Sequence, residues 1–382
     1  MNNTDLKHLI QKQKSNFSLD QEFYINQHIF DLDIKNIFSK QWVFVGHVSR
    51  IPNYGDYFLF NIGKESIIII RDKDSSVHAH YNVCRHRGSH ICLENEGNTK
   101  ALICPYHAWT YNLDGSLRGA RLMEKGFDKS QWHLHECNVK IFEGLIFINL
   151  SEKPNSFDEF ISPTKKFIEF HGLADAKIAH REYYPTHGNW KLTLDNFHEC
   201  YHCHPSHPEY CQVHDKEYII AYGAGSNTGP ASDKFDKVLS KWNEKVKKMG
   251  HLTGEYSETE FNDYSRSAER TPLKEGMFTE TKSGKPVSKL MGKFTDYDCG
   301  YTSVGTSPFN SLLMCNDFAT LFTFIPVSPL YTQVELMWLV HKDAEEGKDY
   351  NLDEMKWMWD VTTIADKRII EDNQKGVLSE KY

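Results

Sequence analysis

The chain has 382 residues, enough for two or three domains and a substantial core. With 40% hydrophobic and 25% charged residues its composition is that of an ordinary globular protein, which argues against a largely disordered or fibrous chain. A formal net charge of −8 at pH 7 speaks against nucleic acid or an anionic membrane as partner. Residues 1–7 lack the apolar core of a signal peptide, and the longest aliphatic run, Ile67–Ile70, is far too short to cross a bilayer. The nine cysteines are odd in number and sit among histidines. They suggest a reducing cytoplasm, with cysteines as metal ligands or core residues.

In chain order, Asp31–Lys40 reads as a short amphipathic helix with Ile34, Ile37 and Phe38 inward. Short strands follow at Trp42–Val45, Tyr57–Phe60 and Ser66–Arg71, separated by Gly, Pro and Asp, as in a small antiparallel β-domain. Tyr106–Leu117 reads as a hairpin turning near Asp114-Gly115, and a strand over Gly144–Leu150 closes the domain. A linker and helix then cover Pro154–Phe170, a strand Arg181–Tyr184, and a helix Leu192–His204. Ala221–Gly292 is polar and reads as helices and loops, a solvated excursion or a lid. Strands resume at Leu321–Pro326 and at Gln333–His341, where Val334, Leu336, Trp338 and Val340 share a face. The last element is a helix over Leu352–Gln374 with Met355, Met358, Val361 and Ile364 as its apolar stripe. The expected domains are 1–40, a helical segment packing on the catalytic domain, then 41–153 and 154–382.

Two stretches carry chemistry. In the β-domain, Cys84-Arg85-His86 is followed after seventeen residues by Cys104-Pro105-Tyr106-His107. Two thiolates and two imidazoles suit a two-iron cluster in which each iron takes one kind of ligand. Gly88 and Pro105 suit tight loops, and Trp109 is placed to shield the cluster from water. A Cys2His2 zinc site is the alternative, but its usual spacing keeps cysteine with cysteine and histidine with histidine.

The second stretch, Asp195 to His207, packs four histidines, a glutamate and two cysteines into thirteen residues. His202 and His207 suit an iron site of two imidazoles and one carboxylate. Five residues apart, they would lie about 140° apart on a regular helix. Pro205 between them is expected to break the helix and let His207 return. Glu199 stands one turn before His202, where a carboxylate can orient the imidazole. On these residues alone, iron, zinc and a structural role stay open, and Cys200-x-x-Cys203 reads equally as a redox or zinc pair.

Together, Cys84-x-His86 and Cys104-x-x-His107 resemble the signature of a Rieske [2Fe–2S] domain. With Asn189-Trp190-Lys191 and Glu199-x-x-His202-x4-His207, the chain from about Phe30 onward resembles the large (alpha) subunit of Rieske non-haem iron oxygenases. The run Glu199–Cys203 and the segments Trp338–Ala344 and Glu371–Gly376 are most similar to the quaternary-amine branch: glycine betaine demethylase, stachydrine demethylase and carnitine monooxygenase.

The resemblance implies an α+β fold: an antiparallel β Rieske domain, and a catalytic domain of curved antiparallel sheet flanked by helices, of helix-grip type. It implies a [2Fe–2S] cluster on Cys84, His86, Cys104 and His107, and a mononuclear Fe(II) on His202, His207 and a distal aspartate. The matching position is Asp317, with Asp296 and Asp298 as rivals. Glu199 would bridge a Rieske histidine of one subunit, His107 or His86, to His202 of the next in a ring homotrimer, and Asn196 joins the catalytic set. Electrons would come singly from NAD(P)H through a flavin/iron–sulfur reductase, with O2 as co-substrate. The implied reaction is oxidation of an N-methyl group of a glycine betaine-like compound, releasing formaldehyde. Such an ammonium is best held by aromatic faces. Phe309, Phe318, Phe322 and Phe324 flank Asp317 and suggest a cage, unless they are plain strand core. An acid-bearing substrate would also need an Arg, Lys or amide donor, which the sequence does not place. Alternatives are aromatic-ring hydroxylation, hydroxylation of choline or carnitine, a Rieske electron carrier, and a zinc-stabilised binding protein.

Overall fold

The computed structural model describes residues 3–221, 230–258 and 266–382. It divides into two compact units, Phe38–Glu159, and Met1–Ile37 with Phe160–Tyr382. Its mixture of helices and antiparallel sheets is the expected α+β class.

The smaller unit holds β1 (Val43–His47), β2 (Asp56–Ile62), β3 (Glu65–Arg71), β4 (Val77–Tyr81), β5 (Glu96–Asn98), β6 (Leu102–Ile103), β7 (Thr110–Tyr111), β8 (Leu117–Gly119), β9 (Asn138–Phe142) and β10 (Leu145–Asn149). They form three sheets ordered β4-β3-β2-β5, β1-β10-β9 and β6-β7-β8. All four isoleucines of β3 are buried, so both faces of that strand are covered, as an unbroken aliphatic run requires. The β7–β8 turn forms where expected: Asp114 accepts from the Ser116 amide at 2.8 Å and Gly115 has φ +83°. A Cβ on Gly115 would stand 2.6 Å from the buried His80 ring, so glycine there is required twice over.

The larger unit begins with α1 (Asn3–Lys12), α2 (Glu22–Ile25) and α3 (Gln27–Asn36). The expected helix over Asp31–Lys40 is displaced. Asn26 caps α3 through the amides of His28 and Ile29, the chain leaves the helix after Asn36, and α3 buries Ile29, Phe30 and Asp33; of the residues expected inward, Phe38 is buried just beyond it and Ile34 and Ile37 only partly so. Next come α4 (Phe157–His171), β11 (Ala176–Thr186), α5 (Trp190–Phe197), α6 (Cys203–Ser206), α7 (Pro208–Val213), α8 (Lys216–Ala221) and α9 (Pro230–Lys248). Strands β12 (Gly254–Ser257), β13 (Ser267–Pro272), β14 (Gly300–Gly305), β15 (Asn310–Met314), β16 (Phe318–Ser328) and β17 (Tyr331–His341) precede α10 (Leu352–Val377). One antiparallel sheet runs β11-β17-β16-β15-β14-β13-β12. Helix α10 lies against β11, α5 and α7, and α5 against β16 and β17. Within the polar 221–292 segment, residues 222–229 and 259–265 lie outside the described residues. Among the described residues no helix is long and apolar enough to cross a membrane.

The stripe expected on α10 is corrected. Met355 and Met358 are buried, but Val361 and Ile364 are 40% and 56% exposed. Steps of three slip about 60° each on a helix, so Ile364 lies about 180° from Met355. The buried residues are Met355, Met358, Trp359, Thr362, Thr363, Ile370, Gln374 and Val377.

The interior of the sheet contains a fully buried charge pair. Arg270 on β13 is buried and meets both oxygens of Asp298 at 2.9 and 3.1 Å, the Leu252 carbonyl at 2.7 Å and Thr302 at 2.9 Å. Asp298 also accepts from His251, Asn316 and the Gly300 amide. This aspartate, a rival for the metal in the sequence, is thus wholly engaged in structure. Breaking such a pair from one side strands the other charge in the core. Arg270→Ala is expected to destabilise the protein by about 3–5 kcal/mol in chemical denaturation. A loss below about 1 kcal/mol would show that the pair is not structural.

Candidate metal centres and the adjoining cavity

The two cysteine–histidine motifs fold into the same turn. The Gly88 amide donates to the Cys84 carbonyl at 2.9 Å and the Cys84 amide to Ser89 at 2.8 Å. The second loop repeats this: Ala108 to Cys104 at 3.0 Å and Cys104 to Trp109 at 2.8 Å. Gly88 and Ala108 occupy matching left-handed positions, φ +77° and +58°. Both cysteines are buried, while His107 is exposed and His86 partly so. The two imidazole centroids are 4.7 Å apart, and the Trp109 indole stacks on His86 at 4.9 Å. Tyr111 Oη lies 3.3 Å from Cys84 Sγ and accepts from the Arg85 amide at 3.1 Å. Burial first, and Cys104 beside it, raise the Cys84 thiol, although the Tyr111 hydroxyl opposes this. Two inner sulfurs and two outer imidazoles fit a [2Fe–2S] cluster whose histidine edge faces outward.

The second centre lies after α5. Asn189 caps this helix by accepting from the Lys191 amide at 2.9 Å, and the helix stops at Phe197 rather than running on to His204. His202 then precedes the single turn α6. The break that lets His207 return is not at Pro205, which sits inside α6. It falls at His207 itself, with φ −124° and ψ 75°, because Pro208 opens α7 and bars the preceding residue from helical geometry. The two imidazoles come within 5.1 Å, centroid to centroid.

The carboxylate that meets them is Asp366 of α10. Its Oδ1 lies 2.9 Å from His207 Nε2 and 3.2 Å from His202 Nε2. One ligand atom from each of the three residues falls within 4.8 Å of the others, a set that can hold a metal ion. Each histidine turns its other nitrogen to a glutamate: His202 Nδ1 to Glu199 at 2.6 Å, His207 Nδ1 to Glu209 at 3.2 Å. That orients both Nε2 atoms at the same point, and the donor set is the two-histidine, one-carboxylate face suited to iron(II). Burial alone would raise the Asp366 carboxyl, but hydrogen bonds with His202 and His207 outweigh it and hold it below the usual range. The Asn196 amide lies 3.3 Å from His202 Nε2.

Asp317, expected as the third ligand, is elsewhere. It is fully buried and accepts from Thr279 at 2.7 Å, from the Val287 and Ser288 amides at 2.8 and 3.1 Å, and from Tyr297 at 3.3 Å. Four donors saturate its oxygens, so it ties the 279–297 loop to the start of β16. Asp366 was missed because acids are common on helix surfaces. The available signal was its spacing: four residues from Thr362 and four from Ile370, it lies on the inward stripe.

A cavity of about 290 Å³ opens beside the triad. Phe322 lines it, as do Phe197, Tyr210, Tyr218, Tyr301 and Trp359. Phe309 and Phe318 do not. Phe309 precedes β15 and packs edge-on against Trp190 at 5.9 Å, whereas Phe318 lies four residues before Phe322, about 13 Å along the strand. Phe197 packs on both Phe322 and Phe324, and Trp359 stands edge-on to Phe322 at 5.3 Å. Strand alternation brings Ser267 and Glu269 of β13, with Tyr301 and Ser303 of β14, to the same wall. Cys200 and Cys203, on either side of His202, are joined as a disulfide rather than serving as metal ligands or free core thiols.

The Rieske [2Fe-2S] domain family matches residues 41–142, and the ring hydroxylating alpha subunit (catalytic domain) family matches residues 173–382. The chain is 36% identical to the glycine betaine monooxygenase oxygenase subunit of Pseudomonas aeruginosa over 377 residues, 98% of this chain and 85% of that one. It is 40% identical to the carnitine monooxygenase oxygenase subunit of Acinetobacter baumannii over 191 residues, 49% of this chain and 51% of that one. A solved quaternary ammonium Rieske monooxygenase superposes with a TM-score of 0.70 at 25% identity, over 95% of this chain and 86% of that one. The chain belongs to the Rieske non-haem iron oxygenases, as an oxygenase (alpha) subunit whose cofactors are a [2Fe–2S] cluster and a mononuclear iron.

Proposed function

We propose that the protein is a monooxygenase that hydroxylates an N-methyl group of a quaternary ammonium compound, with Cys84, His86, Cys104 and His107 holding the cluster and His202, His207 and Asp366 holding the iron. The observation that carries this reading is the cavity. Beside the triad it is lined by Phe197, Tyr210, Tyr301, Phe322 and Trp359, and by no lysine or arginine among the described residues. A quaternary ammonium can neither donate a hydrogen bond nor lose its charge, so aromatic faces are its best protein partners. Relatives named for glycine betaine and carnitine monooxygenation support the same substrate class.

The iron, when bound, supplies O2 activation next to the substrate methyl. The chain does the rest. The aromatic wall holds the cation and excludes water. Glu199 and Glu209 fix the two imidazoles. The Glu199 side chain remains 45% exposed, so it can also be reached from outside its own subunit. In a homotrimer it would carry electrons from a partner's outward-facing Rieske histidines, and a reductase drawing on cytoplasmic NAD(P)H would refill the cluster. In balance, one O2, two electrons and two protons convert N–CH3 to N–CH2OH and water. The hydroxyl then loses its proton, the C–N bond breaks with its pair going to nitrogen, and formaldehyde leaves with a tertiary amine.

With reductase and an N-methylated ammonium substrate, formaldehyde is expected to match coupled O2 uptake one for one. Ring-hydroxylated product from an aromatic hydrocarbon, with no formaldehyde from any amine, would sink the proposal. Asp366→Ala is expected to lose the mononuclear iron while keeping the visible spectrum of the cluster. Asp317→Ala should keep both metals and instead cost about 2–4 kcal/mol in denaturation, since it strands several buried donors. The opposite pattern of iron content would return the ligand role to Asp317. Glu199→Gln should retain iron but slow cluster re-oxidation in single turnovers by about 10–100-fold. An unchanged rate would remove Glu199 from the electron path.

A further inference from the structure

The cavity contains an acid that an aromatic cage for an ammonium does not require. Glu269 projects from β13 into the same space, and one carboxylate oxygen accepts from Tyr218 Oη at 2.8 Å. Tyr218 in turn receives a hydrogen bond from Tyr301 at 2.8 Å, so the glutamate is held at the end of a tyrosine relay. Glu255 of β12 is its cross-strand partner, a second acid directly opposite. Like charges so placed repel, and a ligand cation relieves the repulsion. The nearest arginine in sequence, Arg270, does not line this cavity and is committed to Asp298. No described lysine or arginine lines the cavity, and residues 222–229 and 259–265 contain neither. His198 also lines the space, and burial lowers its pKa, which disfavours its charged form. Asn310 has a buried amide nitrogen without a partner. A neutral donor of that kind serves a hydroxyl as well as a carboxylate, so the ionic groups decide.

We infer that Glu269 is a specificity-determining residue that selects a net-cationic methylated ammonium compound, bearing a hydroxyl or no second polar group, over zwitterions that carry a carboxylate. The inference rests on the proposed quaternary-ammonium activity and narrows it. Away from the iron ligands, a substrate carboxylate in this cavity would meet the acid of Glu269 and no described lysine or arginine, an unpaired charge that costs affinity. A hydroxyl would meet Glu269 as donor to acceptor. Burial, with Glu255 opposite, raises the Glu269 carboxyl against the Tyr218 hydrogen bond, and a bound cation offsets this by favouring the ionised form.

The test compares choline with glycine betaine, which share a head group and differ in the charge at the other end. Iron- and cluster-loaded enzyme with its reductase gives kcat/KM from substrate-dependent O2 uptake, and calorimetry without O2 gives Kd. Choline is expected to lead in both by about tenfold or more. Glu269→Gln, which keeps the shape and loses the charge, should reduce the preference to about twofold or less, and Glu269→Asp should keep its direction. Metal content and thermal midpoint confirm that the variants fold. If glycine betaine is taken equally or better, or if Glu269→Gln leaves the ratio unchanged, the assignment of Glu269 falls while the proposed activity stands. If the enzyme binds and oxidises neither compound nor any other N-methyl amine, the proposed activity itself falls, and with it the inference.

Discussion

A single carboxylate oxygen, Oδ1 of Asp366, stands within hydrogen-bonding distance of both Nε2 atoms of the histidine pair. For it to do so, a helix near the end of the chain must dock with little freedom of rotation or slide. Helix α10 is fixed by side chains along its length. Trp359 donates to Glu280, Tyr184 to Asp360 and Thr362 to Glu209, while the His187 and Asn189 amides donate to Glu371 and Gln374. Glu209 is the pivot of this arrangement, because the same oxygen also meets His207 Nδ1. Thr362, Glu209, His207 and Asp366 thus form a closed ring of contacts between α10 and α7. The position of the acid and the tilt of the imidazole are set together.

The two centres follow different construction rules, and this decides how far each was legible. The cluster site is local. Two copies of one turn lie within a short stretch, and their cysteine, histidine and left-handed residues recur in register, so the motif shows in the letters. The two histidines proposed for the iron stood out equally, as did the sheet strands, although β16 and β17 are buried on both faces rather than alternating. The carboxylate proposed as third ligand is separated from the histidines by 159 and 164 residues, and no local pattern links them. Only tertiary docking of α10 makes the pair into a triad. Reading the helix by steps of three drifted off its buried face and passed over the one acid lying on it.

The same limit applies to the cavity. The phenylalanines near Asp317 were natural candidates once that residue was taken for the ligand, and only Phe322 faces the space. The other aromatic walls come from α5, α7, α8, β14 and α10, elements far apart in sequence. Their convergence follows from the order of the sheet and the break at His207, which no composition or periodicity encodes. Glu269 was invisible for a related reason. In sequence it looks like one more charge in a polar stretch; in the sheet it lines the cavity, while Arg270 is committed to Asp298.

The disulfide between Cys200 and Cys203 closes a covalent loop around Tyr201 and His202. One metal-facing imidazole and the backbone that positions Glu199 are therefore carried on a small macrocycle rather than on free chain. Samples handled with dithiothreitol and samples handled without thiols would be two different covalent species at the segment that carries His202 and adjoins Glu199.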